Sequence, residues 1–296
     1  MDLDLGLGGL DVNAARLVHL EWELDLEDVV KNAPTSVTRQ SHETCDVGRW
    51  IYGVALRKYG RGRDVWALKE VHKEFHAAAE DVVAARQDDD PVQAATAMDS
   101  VRRLSREIVF LLTRIELDTA YRRQASGLLG PSARALHAVT GSRAAAFPML
   151  RDDHDAGGFW FFRRRKRRRA DLLDVNMARL AHVQWTRDLQ NSFRSHRSGP
   201  PVQSSAECEL GIWISSVARR DYRDVPEFAE LDAAHRRFHE ASQRTIAALR
   251  RHNFLAADDA YEQVLSLSRE IVYLLTRLER HLASTRSLAR GVGSTI

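Results

Sequence analysis

The chain has 296 residues, of which 44% are hydrophobic and 29% are charged, and it contains 7 prolines. This composition is typical of a globular protein, and the length suffices for two domains that each bury a core. No apolar run is long enough to span a bilayer and the N-terminus lacks the basic segment of a signal peptide, so we expect a cytoplasmic protein rather than a membrane-spanning or secreted one.

The net charge of +3 comes from one short tract. Residues 163–169 read RRRKRRR and contribute seven positive charges, so subtracting them from +3 leaves −4 for the rest of the chain. A nucleic-acid-binding domain more often spreads its basic face over folded helices. The average charge therefore does not indicate a nucleic-acid-binding protein.

An internal repeat organises the sequence. Residues 11–13 (DVN), 15–17 (ARL) and 105–109 (SREIV) recur at 174–176, 178–180 and 268–272, each displaced by 163 residues. Because the offset is constant, no insertion separates these segments. The repeat predicts two domains, at residues 1–120 and 171–296, joined by a linker at residues 121–170.

Each copy is predicted to contain four helices. In the first copy they begin near Asp11, Cys45, Asp64 and Pro91, and the first three end near Val30, Gly60 and Arg86. Aspartates 11 and 64 are predicted N-caps, and Pro91 occupies the first helical position, where proline is tolerated. An apolar stripe at helical spacing follows in the fourth helix, at Val101, Leu104, Ile108, Leu111 and Ile115. The predicted fold class is therefore all-α, with two tandem four-helix bundles.

Both cysteines and half of the histidines occupy equivalent positions in the two copies. The pairs are Cys45 and Cys208, His19 and His182, His72 and His235, and His76 and His239. The remaining histidines have no counterpart in the other copy and are predicted to lie on the surface; they are His42, His137, His154, His196, His252 and His281.

The repeated residues have the spacing of a metal site. His72 and His76 are four residues apart and therefore share one helix face. Folding at the turn near residue 60 brings Cys45 level with this pair, and His19 on the neighbouring helix completes a set of four. Three imidazoles and one thiolate suit tetrahedral Zn²⁺. The sequence thus predicts two Zn²⁺ per chain, the second bound by His182, Cys208, His235 and His239.

Repeated tryptophans and glycines flank these positions. They are Trp22, Gly48 and Trp50 in the first copy and Trp185, Gly211 and Trp213 in the second. We predict that the tryptophans screen the metal from water, and that the glycines allow another helix to approach closely. Core packing alone would also explain the tryptophans.

The motifs His-x-x-Trp, Cys-x-x-Gly-x-Trp and His-x-x-x-His, in this order in both copies, resemble the chemoreceptor zinc-binding domain (CZB) family. The resemblance implies four-helix bundles with zinc held by the residues named above. It also implies a bacterial, cytoplasmic protein in signal transduction, because family members accompany chemotaxis receptors or diguanylate cyclases and sense zinc or oxidants. Since the family tends to form homodimers, the two bundles are expected to pair as an intramolecular pseudo-dimer.

Zinc with four protein ligands has no open position for a substrate, so we predict a regulatory protein that is not an enzyme. Cys45 and Cys208 are the predicted redox switch, since a zinc-bound thiolate is the form that oxidants such as hypochlorite attack. Three alternatives remain open: a scaffold with structural zinc, a zinc buffer, and a hydrolase in which one histidine detaches to admit water. The sequence does not identify a signalling partner.

Four adjacent aromatic residues precede the basic tract, so that Phe159–Arg169 combines aromatic and cationic side chains. Such a segment suits an anionic membrane or a nucleic acid, contacted through Arg163–Arg169. A solvated start to the second domain explains the composition equally well.

Overall fold

A computed structural model describes residues 12–32, 40–60, 62–125, 175–195 and 204–291. The chain divides into two compact units, Met1–Asp118 and Thr119–Ile296. All regular secondary structure in the described segments is helical, which confirms the predicted all-α class. The aromatic and basic tract at Phe159–Arg169 lies outside the described residues.

In the first unit, the described residues form three long helices and one short, bent helix. The long helices are α1 (Val12–Asn32), α4 (Arg63–Gln87) and α5 (Pro91–Ala125). The bent helix comprises α2 (Asp46–Trp50), a π-helical turn (Ile51–Ala55) and α3 (Leu56–Tyr59). The predicted second helix is therefore present, but it contains a π-helical turn, a feature often found near functional sites.

The second unit repeats this order of elements. Its described helices are α6 (Val175–Ser195), α7 (Glu209–Trp213), α8 (Arg219–Asp221), α9 (Pro226–Arg250) and α10 (Phe254–Gly291), with a π-helical turn (Ile214–Ala218) between α7 and α8. Helix α10 packs against α6 and α9. The turns before the last helices also match, since Asp89 and His252 both have positive φ, at 55° and 54°.

The apolar stripe predicted in the fourth helix faces the core of the first unit. Its five members, Val101, Leu104, Ile108, Leu111 and Ile115, are all buried. The N-terminus of α5 is capped by Asp90, whose carboxylate accepts hydrogen bonds from the backbone N–H groups of Val92 and Gln93. Burial of the stripe and this cap explain why the sequence folds as a helix here.

The predicted N-cap at Asp64 was wrong. Gly62 occupies the N-cap position of α4 and makes no side-chain cap hydrogen bond. Asp64 lies in the first turn of α4 and pairs with Arg114 of α5, with an N–O distance of 2.9 Å. The ion pair thus links α4 to α5.

Among the described helices, none combines the length and the apolar composition that a bilayer-spanning helix needs.

Candidate metal centre

Cys45 is positioned by the start of the bent helix. It is the N-cap residue of α2, and its sulfur accepts a hydrogen bond from the backbone N–H of Gly48, with an N–S distance of 3.2 Å. An N-terminal helix end and an amide donor both favour a negatively charged sulfur. Burial acts in the opposite direction and, as the larger effect, raises the pKa of the Cys45 thiol. Without a metal, the thiol therefore keeps its proton at neutral pH.

Helix α4 supplies two imidazoles to the same place. His72 and His76 lie one turn apart with ring centroids 4.8 Å from each other, and both are buried. Nε2 of His72 lies 3.3 Å from the Cys45 sulfur. Burial lowers the pKa of His72 to about 3 and that of His76 to about 4. Both rings are therefore neutral at physiological pH, which is the form that binds metals.

The second unit has the same cluster. The Cys208 sulfur lies 3.0 Å from Nε2 of His235, and Nε2 of His235 lies 3.1 Å from Nε2 of His239. The backbone N–H of Gly211 donates to the Cys208 sulfur at 3.3 Å. In each unit the three possible ligand atoms lie within 4.8 Å of one another. The structure thus brings together three of the four predicted residues in both copies.

The fourth predicted residue lies opposite each cluster. The ring centroid of His19 is 6.3 Å from that of His72, and the centroid of His182 is 5.8 Å from that of His235. His19 lines the same cavity as Cys45, His72 and His76, whose volume is about 120 Å³. His19 on α1 and His182 on α6 therefore lie beside the clusters, but outside the groups whose ligand atoms are all within 4.8 Å of one another.

The donor atoms fit a tetrahedral zinc ion. Nitrogen and sulfur ligands at 2.0–2.3 Å from zinc lie about 3.3 to 3.6 Å apart, close to the observed 3.3 Å between Cys45 and His72. Within the described residues, Nε2 of the buried His19 has no hydrogen-bond partner. Leaving a buried polar atom unsatisfied costs about 1–3 kcal/mol, a cost that coordination of a metal removes. The residues present therefore fit a zinc site.

Trp22 and Trp185 have different surroundings in the two units. Trp22 lines the cavity of the first site and its ring centroid is 5.0 Å from that of His76. In the second unit, Trp185 instead packs on Phe238, at 5.3 Å between centroids. Trp50 and Trp213 are buried.

The expected role of the glycines needs correction. A Cβ on Gly48 would lie 2.1 Å from the carbonyl oxygen of His42, and one on Gly211 would lie 1.7 Å from that of Ser205. The closest approach is thus by the backbone of the preceding loop, and in the second unit Cε1 of His235 on α9 would also lie 3.2 Å from the added Cβ. The absence of a side chain lets this loop pass directly over the start of α2 or α7.

His42, predicted to lie on the surface, is partly exposed, at 26%, and its ring also faces the cluster, with its centroid 6.4 Å from that of His76. The repeat carries no signal for this position, because the equivalent residue in the second copy is Ser205. His252 and His281 are exposed as expected. His137, His154 and His196 lie outside the described residues.

Comparison with curated proteins and with solved structures found no match. Comparison with protein-family models found one that agrees with this geometry. Residues 19–83 and 182–246 each match the model of the chemoreceptor zinc-binding domain family. Each unit therefore contains one domain of the chemoreceptor zinc-binding family, and the chain carries two such domains in tandem.

Proposed function

We propose that this chain is a cytoplasmic regulatory protein that binds one Zn²⁺ in each bundle, and that its two cysteines respond to oxidants. The ligands are His19, Cys45, His72 and His76 in the first bundle, and His182, Cys208, His235 and His239 in the second. The observation that carries the proposal is the buried cluster of one cysteine and two histidines in each unit. With a fourth ligand from α1 or α6, no coordination position remains for a substrate, so the proposed role is not enzymatic.

The surroundings of the sulfur support the redox part of the proposal. Bound zinc would hold the sulfur as a thiolate near neutral pH, although burial alone raises the pKa of the Cys45 thiol. The Gly48 amide and the N-terminus of α2 face the same atom and stabilise its negative charge. One thiolate and three neutral imidazoles leave the zinc site with a charge of +1, which attracts anions such as hypochlorite.

Oxidation of the cysteine would change the set of atoms that bind the zinc. The thiolate takes the OH group of hypochlorous acid and loses two electrons, which leave with the chlorine as chloride. The product is a sulfenic acid, a weaker metal ligand than the thiolate. Because Cys45 lies at the start of α2 while His72 lies on α4, losing the sulfur loosens the link between these helices. A partner protein that reads the packing of the bundle would then detect the oxidant.

The first test is metal content. Protein purified without added metal should contain about two zinc ions per chain, and Cys208→Ser should lower this to about one. A wild-type chain with one zinc, unchanged by Cys208→Ser, would remove the second site. A wild-type chain without bound zinc would refute the proposal altogether.

The second test separates a sensor from a structural site and from a zinc buffer. Equimolar hypochlorite should modify both cysteines before the four methionines and should change zinc occupancy or helix packing, as followed by mass spectrometry and circular dichroism. If the methionines are oxidised while both thiols stay intact, the zinc is structural. If zinc exchanges rapidly with chelators and the oxidant has no specific effect, the chain is a buffer.

A further inference from the structure

The two metal centres differ in the loop that precedes the cysteine. In the first unit, His42 lies in the loop before α2, with its ring centroid 6.4 Å from that of His76 and 6.0 Å from that of Tyr52. In the second unit, the equivalent residue is Ser205. The first site therefore has a fourth imidazole beside it, whereas the second has a hydroxyl group at this position.

The backbone holds this position in the same place in both units. The carbonyl oxygens of His42 and Ser205 lie against Gly48 and Gly211, where an added Cβ would lie 2.1 Å and 1.7 Å away. Each glycine also donates its backbone N–H to the sulfur of the preceding cysteine. The loop is thus fixed to the start of the helix that bears the cysteine, and the difference between the sites at this position is the side chain.

His42 lies as near to the cluster as the histidine predicted to be the fourth ligand. The centroid distance of 6.4 Å from His42 to His76 matches the 6.3 Å from His19 to His72. Two imidazoles on one tetrahedral zinc have centroids about 5 Å apart, so either ring must move by about 1 Å. The His42 side chain is 26% exposed, and its contact with Glu43 is long, at 3.8 Å, and partly in solvent. Such a contact contributes little to stability, so it does not prevent a small rotation towards the ion.

We propose that His42 is a reserve ligand of the first site. It donates a nitrogen lone pair to the metal when Cys45 no longer supplies its thiolate, and four imidazoles then hold the ion. The charge of the metal with its ligands rises from +1 to +2, because a neutral ring replaces an anion. Within the described residues, the second site has no imidazole at the equivalent position, Ser205, and it releases its ion when Cys208 is lost. This inference rests on the proposed zinc-binding function and makes the two domains respond unequally to the same chemical event.

The experiment compares the two cysteines in the full chain. Cys45→Ala should retain about two zinc ions per chain after dialysis, and Cys208→Ala should retain about one. Adding His42→Ser to Cys45→Ala should reduce the content to about one, and adding Ser205→His to Cys208→Ala should restore it towards two. With Co²⁺ in place of zinc, Cys45→Ala should lose the sulfur-to-metal charge-transfer band of the first site and keep the strong visible absorption of a four-coordinate ion.

Three results would overturn the proposal. The first is equal loss of zinc from Cys45→Ala and Cys208→Ala. The second is retention of zinc by Cys45→Ala that His42→Ser does not change. The third is loss of zinc in His42→Ser alone, since that would make His42 a resident ligand. Circular dichroism of each variant establishes that it is folded. The metal content of the wild-type chain tests zinc binding itself, so failure of the proposed function is distinguishable from failure of the reserve role.

Discussion

Arg16 donates a hydrogen bond to Glu116 across the first bundle, with an N–O distance of 2.9 Å, although the Arg16 side chain is completely buried. Arg179 and Glu279 form the same pair in the second bundle, also at 2.9 Å. Arg16 lies on α1 one turn before His19, and Glu116 lies on α5. The ion pair therefore fixes the helix that carries the fourth histidine relative to the rest of the bundle.

Replacing Arg16 with alanine should destabilise the first unit by about 1.5–3 kcal/mol, because it removes a fully buried guanidinium that pairs with the partly exposed Glu116 and donates to the Thr113 hydroxyl. The measurement is urea unfolding of the zinc-free protein. Arg114→Ala is the control, since Arg114 pairs with Asp64 but is 37% exposed, and it should cost about 1 kcal/mol or less. Equal losses for the two variants would contradict the importance assigned to burial.

Replacing Gly48 with alanine should displace the loop that precedes Cys45. The new Cβ would lie 2.1 Å from the backbone oxygen of His42, so backbone must move. We expect destabilisation of about 1–3 kcal/mol, in the range for overpacked sites, and weaker zinc binding at the first site. Thermal unfolding and competition with a chelator measure the two effects.

The matched control for this substitution is Gly53→Ala, in the π-helical turn of the same bent helix. A Cβ there meets nothing within 4 Å. Alanine loses less conformational freedom than glycine on folding, so this variant should be stabilised by about 0.5–1 kcal/mol. Destabilisation of both variants to the same extent would show that the contact with His42 is not the cause.

The zinc-free protein should lose stability as the pH falls below about 6.5. Burial lowers the pKa of His72 to about 3 and that of His76 to about 4. In this range the unfolded chain takes up protons that the folded chain does not, so the contribution of these histidines is complete above pH 6.5 and declines in acid. At pH 5 the loss is about 2 kcal/mol for each histidine. Urea unfolding at pH 8 and pH 5 measures it, and His72→Gln should flatten the dependence; an unchanged slope would contradict this cause.

The resemblance to a homodimerising family predicts that the two bundles pair within one chain. A linker of about fifty residues spans roughly 40 Å if it is flexible, so each bundle is held at high effective concentration near the other. Small-angle scattering should then show a single compact particle. Scattering from two separated domains that tumble independently would reject the pseudo-dimer.

Two interpretations of the segment Phe159–Arg169, a contact with an anionic surface and a solvated linker, predict different responses to salt. Binding to vesicles that contain anionic lipid should weaken steeply as the salt concentration rises. Replacing the seven cations of residues 163–169 with Gln and Ser should abolish vesicle binding and leave the zinc content unchanged. If the wild-type chain binds neither vesicles nor nucleic acid at low salt, the segment is only a linker.

Much of the candidate site could be predicted from the repeat. A constant offset of 163 residues isolated the repeated cysteines and histidines, and the helical period placed His72 and His76 on one face. The same offset also relates Arg16 to Arg179 and Glu116 to Glu279, so the buried ion pairs carried a signal in the sequence. Their role was not recognised because charged residues at helical spacing are usually exposed, and only packing shows that these arginines are buried.

The sequence alone determined the helical class, the two domains and the types of ligand, because these depend on local periodicity and on which residues recur. Tertiary structure decided the rest. It placed Cys45 as an N-cap with its sulfur 3.3 Å from His72, set His19 apart from the cluster, and brought His42 beside His76. These relationships depend on how a loop passes over Gly48 and how α1 lies against α4. Neither leaves a periodic pattern, since each results from contacts between residues that are distant in the chain.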